Sequence, residues 1–207
     1  MPRERTEYAW DDEAGAIVDA DGAVLAAISP DPIGSLDADT LDRASGGVLV
    51  APCGEHAQTD RPPTKDSLEQ WSQDAWDRFT DAFTRSRDAA RERGVELVVH
   101  PGAGGRLTDA ICTRVWLEGF AHDAPPMLAD PVGWLTPSML GDADDHLARF
   151  TDAINAWPGV WGVLIRSCAP RGDDSLVPCA VEDGVLDAAM LHAAFDRIDS
   201  PRRIERR

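Results

Sequence analysis

ELVVHPGAGGRLTD, residues Glu96–Asp109, is the stretch on which the reading of the fold turns. An apolar, β-branched run closes on His100, a glycine-rich turn follows, and Leu-Thr-Asp leads toward a helix. Leu97–Val99, unbroken by polar residues, has the pattern of a strand buried on both faces, as in a parallel sheet. Such a strand delivers its chain to the C-terminal edge of the sheet, where α/β folds hold their chemistry. The turn containing Gly104 could let backbone N–H groups approach an anion, with Thr108 as N-cap of the next helix. It matches neither G-x-G-x-x-G nor G-x-x-x-x-G-K-[ST], and a purely structural turn is the favoured reading.

The same grammar recurs on either side. Residues 15–29 read as two short β-prone runs around Asp-Ala-Asp-Gly, a hairpin. A Pro/Gly loop and a short helix lead to residues 47–52, GVLVAP, again a buried-type strand, which releases Cys53, Glu55 and His56. A long helix is expected from Ser67, with Leu68, Trp71, Ala75, Phe79, Ala82, Phe83, Ser86 and Ala90 on its inner face. Ser67 and Gln70 form its capping box and Gly94 its C′ residue. Residues 107–120 read as a helix with Ile111, Val115 and Leu117 or Phe120 facing inward. Residues 125–131 form a brief strand ending on Asp130. A helix spans 137–157, a strand VWGVLIRSC spans 160–168, and APRGDDSLVP is a loop before a last helix. The tail SPRRIERR, residues 200–207, is either a final short strand or frayed.

Strand, loop and helix thus alternate at least four times, the mark of βα units around a parallel sheet. The 207 residues are expected to form a single domain, with residues 1–35 as an added hairpin. Asp and Glu number 37 against 20 Lys and Arg, a net charge of −17, which argues against a nucleic-acid partner. No apolar run nears the roughly 18 residues of a membrane span, and the N-terminus has no signal-like apolar core, so a cytoplasmic protein is the default. The four cysteines lack C-x-x-C spacing and are expected to be free thiols.

The residues that follow the strands converge by topology alone: Cys53, Glu55 and His56; His100 and the glycine turn; Asp130; Arg166, Ser167 and Cys168. His100 and Asp130 close consecutive strands, so they would be rim neighbours able to share a proton or bind a metal. The bland alternative is that Asp130 caps a turn and His100 bonds locally.

Four segments carry a family resemblance. DAARERGVELVVHPGAGG, PPMLADPVGWL, GVWGVLIRSCAPRGD and VPCAVEDGVLDAAMLHAAF together resemble the xylose isomerase-like barrel family of sugar isomerases, epimerases and dehydratases. The resemblance covers roughly residues 36–200 and implies a TIM-barrel-like (β/α) fold of parallel strands with outer helices. The chain is short for a barrel of about 250 residues, so a truncated or incomplete barrel is expected, its open side covered by a second copy in a homodimer. The family binds a divalent metal through Glu, Asp, His and Glu. Here Asp130 matches the Asp, the first Glu is absent, with Val98 and Val99 before a His100-Pro101 that some family members share, Val132-Gly133-Trp134 replaces the usual histidine stretch, and only Glu205 could supply the last Glu. The resemblance therefore implies His100, Asp130 and Arg166 as catalytic residues, and Asp130, His100 and Glu205 as ligands of a divalent ion, with no other cofactor. Glu55, His56, Gly104 and Trp134 would bind a small carbohydrate, a polyol or keto-sugar. With half the ligand positions lost, a catalytically silent homologue that serves in binding or assembly is the alternative.

Overall fold

The computed structural model describes residues 6–44, 47–53, 72–102, 105–172 and 175–206. Eight strands close into a barrel: β1 (Thr6–Asp11), β2 (Ala16–Val18), β3 (Val24–Ile28), β4 (Val48–Pro52), β5 (Glu96–His100), β6 (Met127–Ala129), β7 (Val160–Ile165) and β10 (Arg202–Arg206). The ring runs β1-β10-β7-β6-β5-β4-β3-β2, and every pairing is parallel except the two made by β2. The hairpin expected at 15–29 is β2 and β3, and with β1 they are three of the eight staves. The tail is the stave β10, which closes the ring against β1. No strand edge of the ring is left open, so the truncated or incomplete barrel expected from the chain length is not what forms: all eight staves are present and closed.

Five α-helices are described: α1 (Ala38–Asp42), α2 (Gln73–Glu92), α3 (Ala110–Glu118), α4 (Ala143–Ile154) and α5 (Ala188–Asp196). Helix α2 begins where the Ser72 hydroxyl accepts from the Ala75 N–H, and the expected capping box of Ser67 and Gln70 lies outside the described residues. It ends as the sequence suggests. Gly94 sits at φ +69°, its N–H donating to Arg91 and that of Val95 to Ala90, the 5→2 and 6→1 bonds of a Schellman stop.

Strand alternation sorts the core into two layers. Trp10, Ile17, Ala26, Val50, Val98, Leu128, Trp161, Leu164 and Ile204 fill the barrel interior. Their neighbours Leu49, Leu97, Val99, Met127, Val163 and Ile165 face outward against Phe79, Phe83, Trp116, Leu117, Leu147, Ile154 and Phe195 of the helices. At the lower end Arg202 lies over the Trp161 ring, 4.8 Å from its centroid, and donates to the Trp161 carbonyl, closing the barrel floor.

Two local readings change. The strand expected across 160–168 leaves the barrel at Arg166, and residues 167–179 form a separate antiparallel hairpin, β8 (Ser167–Arg171) and β9 (Ser175–Cys179), rather than a loop. Helix α3 is capped by Asp109, whose Oδ1 accepts from Ile111 and Cys112, not by Thr108. Its buried residues are Ala110, Thr113, Trp116 and Leu117, while Ile111 and Val115 are 63% and 59% exposed.

Candidate functional site at the barrel mouth

At the C-terminal ends of the parallel staves, even-numbered positions of β5 continue the interior row from Val98 to His100. The same row on β6 runs through Leu128 to Asp130, and on β7 through Leu164 to Arg166. The structure brings these three together. The His100 Nε2 lies 2.9 Å from the Asp130 Oδ2, and the Arg166 Nη2 lies 2.6 Å from that same oxygen. On the other oxygen, Oδ1, the Arg166 Nε donates at 3.0 Å and the Gly133 N–H at 2.9 Å. Asp130 has no solvent exposure, while the side chains of His100 and Arg166 are 18% and 11% exposed.

Burial pushes the Asp130 carboxyl toward its neutral form, but the Arg166 guanidinium and the His100 hydrogen bond overcome this and hold it well below the usual carboxylate range. An ionised carboxylate can only accept, so the His100 Nε2 must carry the hydrogen. In the neutral ring the lone pair then sits on Nδ1, and the imidazole is fixed in one tautomer. Trp10 meets the His100 ring edge-on at 5.6 Å and holds it from the side. Gly133 is needed for close approach: a Cβ there would stand 2.6 Å from Asp130 Oδ2 and 2.9 Å from Arg166 Nη2.

A second pair completes the rim. The Arg206 Nη2 lies 2.6 Å from the Asp12 Oδ2, and the Trp10 indole N–H donates to Asp12 Oδ1 at 2.9 Å. Trp10, Asp12 and Arg206 escaped the sequence reading because they meet only when β10 closes against β1. The available signal was a tryptophan before an acidic pair at one end of the chain and a basic tail at the other.

Other expected site residues fall elsewhere. Trp134 is a core residue rather than a substrate contact: it is 1% exposed, its indole N–H donates to the Leu107 carbonyl, and it packs edge-on against Phe150 and Trp157. Glu205 pairs in register with Ala9 and Ile165 on the outer wall, beside Glu7, Ala20, His192 and Arg203. It cannot join Asp130 as a ligand, because strand alternation turns it away from the interior that Ile204 fills. Glu55, His56 and Gly104 lie outside the described residues. Gly105 serves packing, since a Cβ there would stand 2.1 Å from the Cys53 carbonyl oxygen, and Arg106 N–H donates to that oxygen. The buried Cys53 thiol is pushed up to about 11 by burial, and all four cysteines are free.

The donor set does not fit a divalent ion. Both oxygens of Asp130 already accept two hydrogen bonds each, using the four lone-pair sites of a carboxylate. The guanidinium at 2.6 Å occupies the place of a bound cation. Among the described residues, no three His, Cys, Asp or Glu side chains gather in a metal-like group.

No family model and no curated protein matches the chain. Solved structures do. It is similar to a probable 3-DHS dehydratase, AsbF, involved in petrobactin synthesis from Bacillus anthracis, with 8% identity, 77% of this chain and 57% of that one covered, and a TM-score of 0.48. It is similar to the IolI protein with a bound zinc atom, with 14% identity, 81% and 56% covered, and a TM-score of 0.47. It is also similar to a xylose isomerase-like TIM barrel protein from Mycobacterium smegmatis in complex with magnesium, with 12% identity, 81% and 56% covered, and a TM-score of 0.43. The chain spans a little over half the length of these structures.

Proposed function

We propose that the barrel mouth binds a small polyol or keto-sugar and that His100 moves a proton on it, as a sugar isomerase or epimerase does. The observation that carries this reading is the His100–Asp130 pair. A buried carboxylate, kept ionised by Arg166, fixes His100 as an Nε2–H tautomer with its basic Nδ1 lone pair. That is the arrangement of an oriented general base.

In the proposed step the His100 Nδ1 takes the proton from the carbon beside a carbonyl. The C–H electron pair forms the enediol double bond as the carbonyl pair moves onto oxygen, which takes a proton. Return of the carbon-bound proton to the former carbonyl carbon, as the neighbouring hydroxyl gives up its own, completes an isomerisation. Arg166 spends only Nε and Nη2 on Asp130, and a guanidinium has five N–H donors, so the remainder can meet the oxygen on which charge develops.

The test is proton exchange in D2O. Keto-sugars incubated with the protein should lose their α-proton signal, and His100→Ala should slow that exchange by roughly a hundredfold or more. Binding by calorimetry without exchange would favour the silent homologue, for which the saturation of Asp130 in a closed ion-pair network speaks. Neither binding nor exchange across a panel of polyols and keto-sugars would overturn the reading.

A further inference from the structure

His100 is tied to Asp130 by one hydrogen bond, and one bond does not set the direction of a ring. Two side-chain torsions decide where an imidazole points, while the 2.9 Å contact from Nε2 to the Asp130 Oδ2 restrains a single distance. The second restraint comes from across the bore. In the ring of eight staves β1 and β5 stand opposite each other, and the buried Trp10 of β1 reaches over to the imidazole. The two rings meet edge-on, with centroids 5.6 Å apart and 61° between their planes.

Trp10 is itself anchored. Its Nε1–H donates to the Asp12 Oδ1 at 2.9 Å, and the other oxygen of Asp12 takes the Arg206 Nη2 at 2.6 Å. The side chains of Asp12 and Arg206 are 53% and 19% exposed, and an ion pair that wet contributes little to stability. Its consequence lies in the geometry it imposes. Arg206 steadies the carboxylate, the carboxylate steadies the indole, and the indole steadies the His100 ring. Trp10 and Arg206 are register partners on β1 and β10, so the three residues form one unit at the seam where the barrel closes.

We infer that Asp12 and Arg206 are positioning residues for His100, acting through Trp10 to hold the direction of its Nδ1 lone pair. The inference rests on the reading of His100 as the base. A general base works only within hydrogen-bond reach of the proton it takes. A ring free to swing therefore loses rate while the substrate still binds. Neither Asp12 nor Arg206 has to touch the substrate for this.

Two measurements on the full chain test this, and the first needs no substrate. The His100 ring protons feel the ring current of Trp10, so their NMR lines should move when the indole is released in Asp12→Ala, and by less in Arg206→Gln. They should stay near the wild-type positions in Asp12→Asn, which keeps an oxygen for the indole N–H. The second is α-proton exchange from a keto-sugar in D2O. Asp12→Ala should lower kcat by roughly tenfold with KM held. Trp10→Phe keeps a ring beside His100 but has no N–H for Asp12, so adding Asp12→Ala in that background should cost no further rate. His100 lines unmoved in Asp12→Ala would overturn the inference. So would a loss carried by KM alone, or the same tenfold loss repeated in the Trp10→Phe background. If the wild type exchanges nothing, the function proposed above falls, and the NMR lines alone decide whether Asp12 and Arg206 hold the His100 ring.

Discussion

At Asp130, burial alone would favour the neutral acid, and the charge survives because Arg166 and His100 reach it with three of its four hydrogen bonds. Asp130→Asn keeps the shape but leaves a buried guanidinium without its counter-ion. We expect it to lose about 3 kcal/mol or more in denaturant unfolding at neutral pH. The folded-state pKa is lowered, so this stabilisation is complete above the ordinary carboxylate range near ~4 and drains away as pH falls toward the folded value. The gap between wild type and Asp130→Asn should accordingly narrow at about pH 3, measured by the same unfolding curves. A gap that persists in acid would mean the pair contributes little through its charge. The sequence announced His100 and Asp130 because each closes a short apolar run. It could not announce that Gly133 must lack a Cβ, since the clash depends on how Asp130 and Arg166 lie above it.

Helix α3 turns on which apolar residues it hides. Ile111 and Val115 are spaced for one face, but Trp116 and Leu117 lie on another, and the larger area wins. Trp116 sits 5.3, 5.0 and 4.9 Å from Phe79, Phe83 and Phe120, and its indole N–H donates to Thr80. Ile111→Ser should therefore shift stability by less than about 0.5 kcal/mol, whereas Trp116→Ala should cost about 3–5 kcal/mol, both read from chemical denaturation. The elements that were legible are those whose pattern is local: β4 and β5 as unbroken apolar runs, α2 as a long 3.6-residue stripe stopped by Gly94. The β8–β9 hairpin was not legible. Its strands carry Pro170 and Pro178 and show no alternation of buried and exposed positions, so the pairing is evident only in three dimensions.

Across the whole molecule, the −17 net charge opposes compaction, and the exposed pairs Arg91–Asp123, Arg149–Asp145 and Arg197–Asp152 offset little of it. Screening weakens both effects, but the net repulsion is the larger, so Tm should rise as salt goes from about 0.01 M to about 0.15 M. A fall in Tm over that range would put more weight on the ion pairs than on the excess charge. The closure that sets the candidate site, β1 against β10, joins residues 6–10 to 202–206 and is invisible to any window of sequence. That closure also brings a directional consequence through β2, which runs against its neighbours. The link from β1 to β2 at the mouth is only residues 12–15, and the β2–β3 turn points to the opposite end. A span that short is dictated by its two strands and tolerates little lengthening. The Asp12 quarter of the rim is thus a fixed template, and the variable part of the rim lies on the other side, in the connections after β3, β4, β5, β6 and β7.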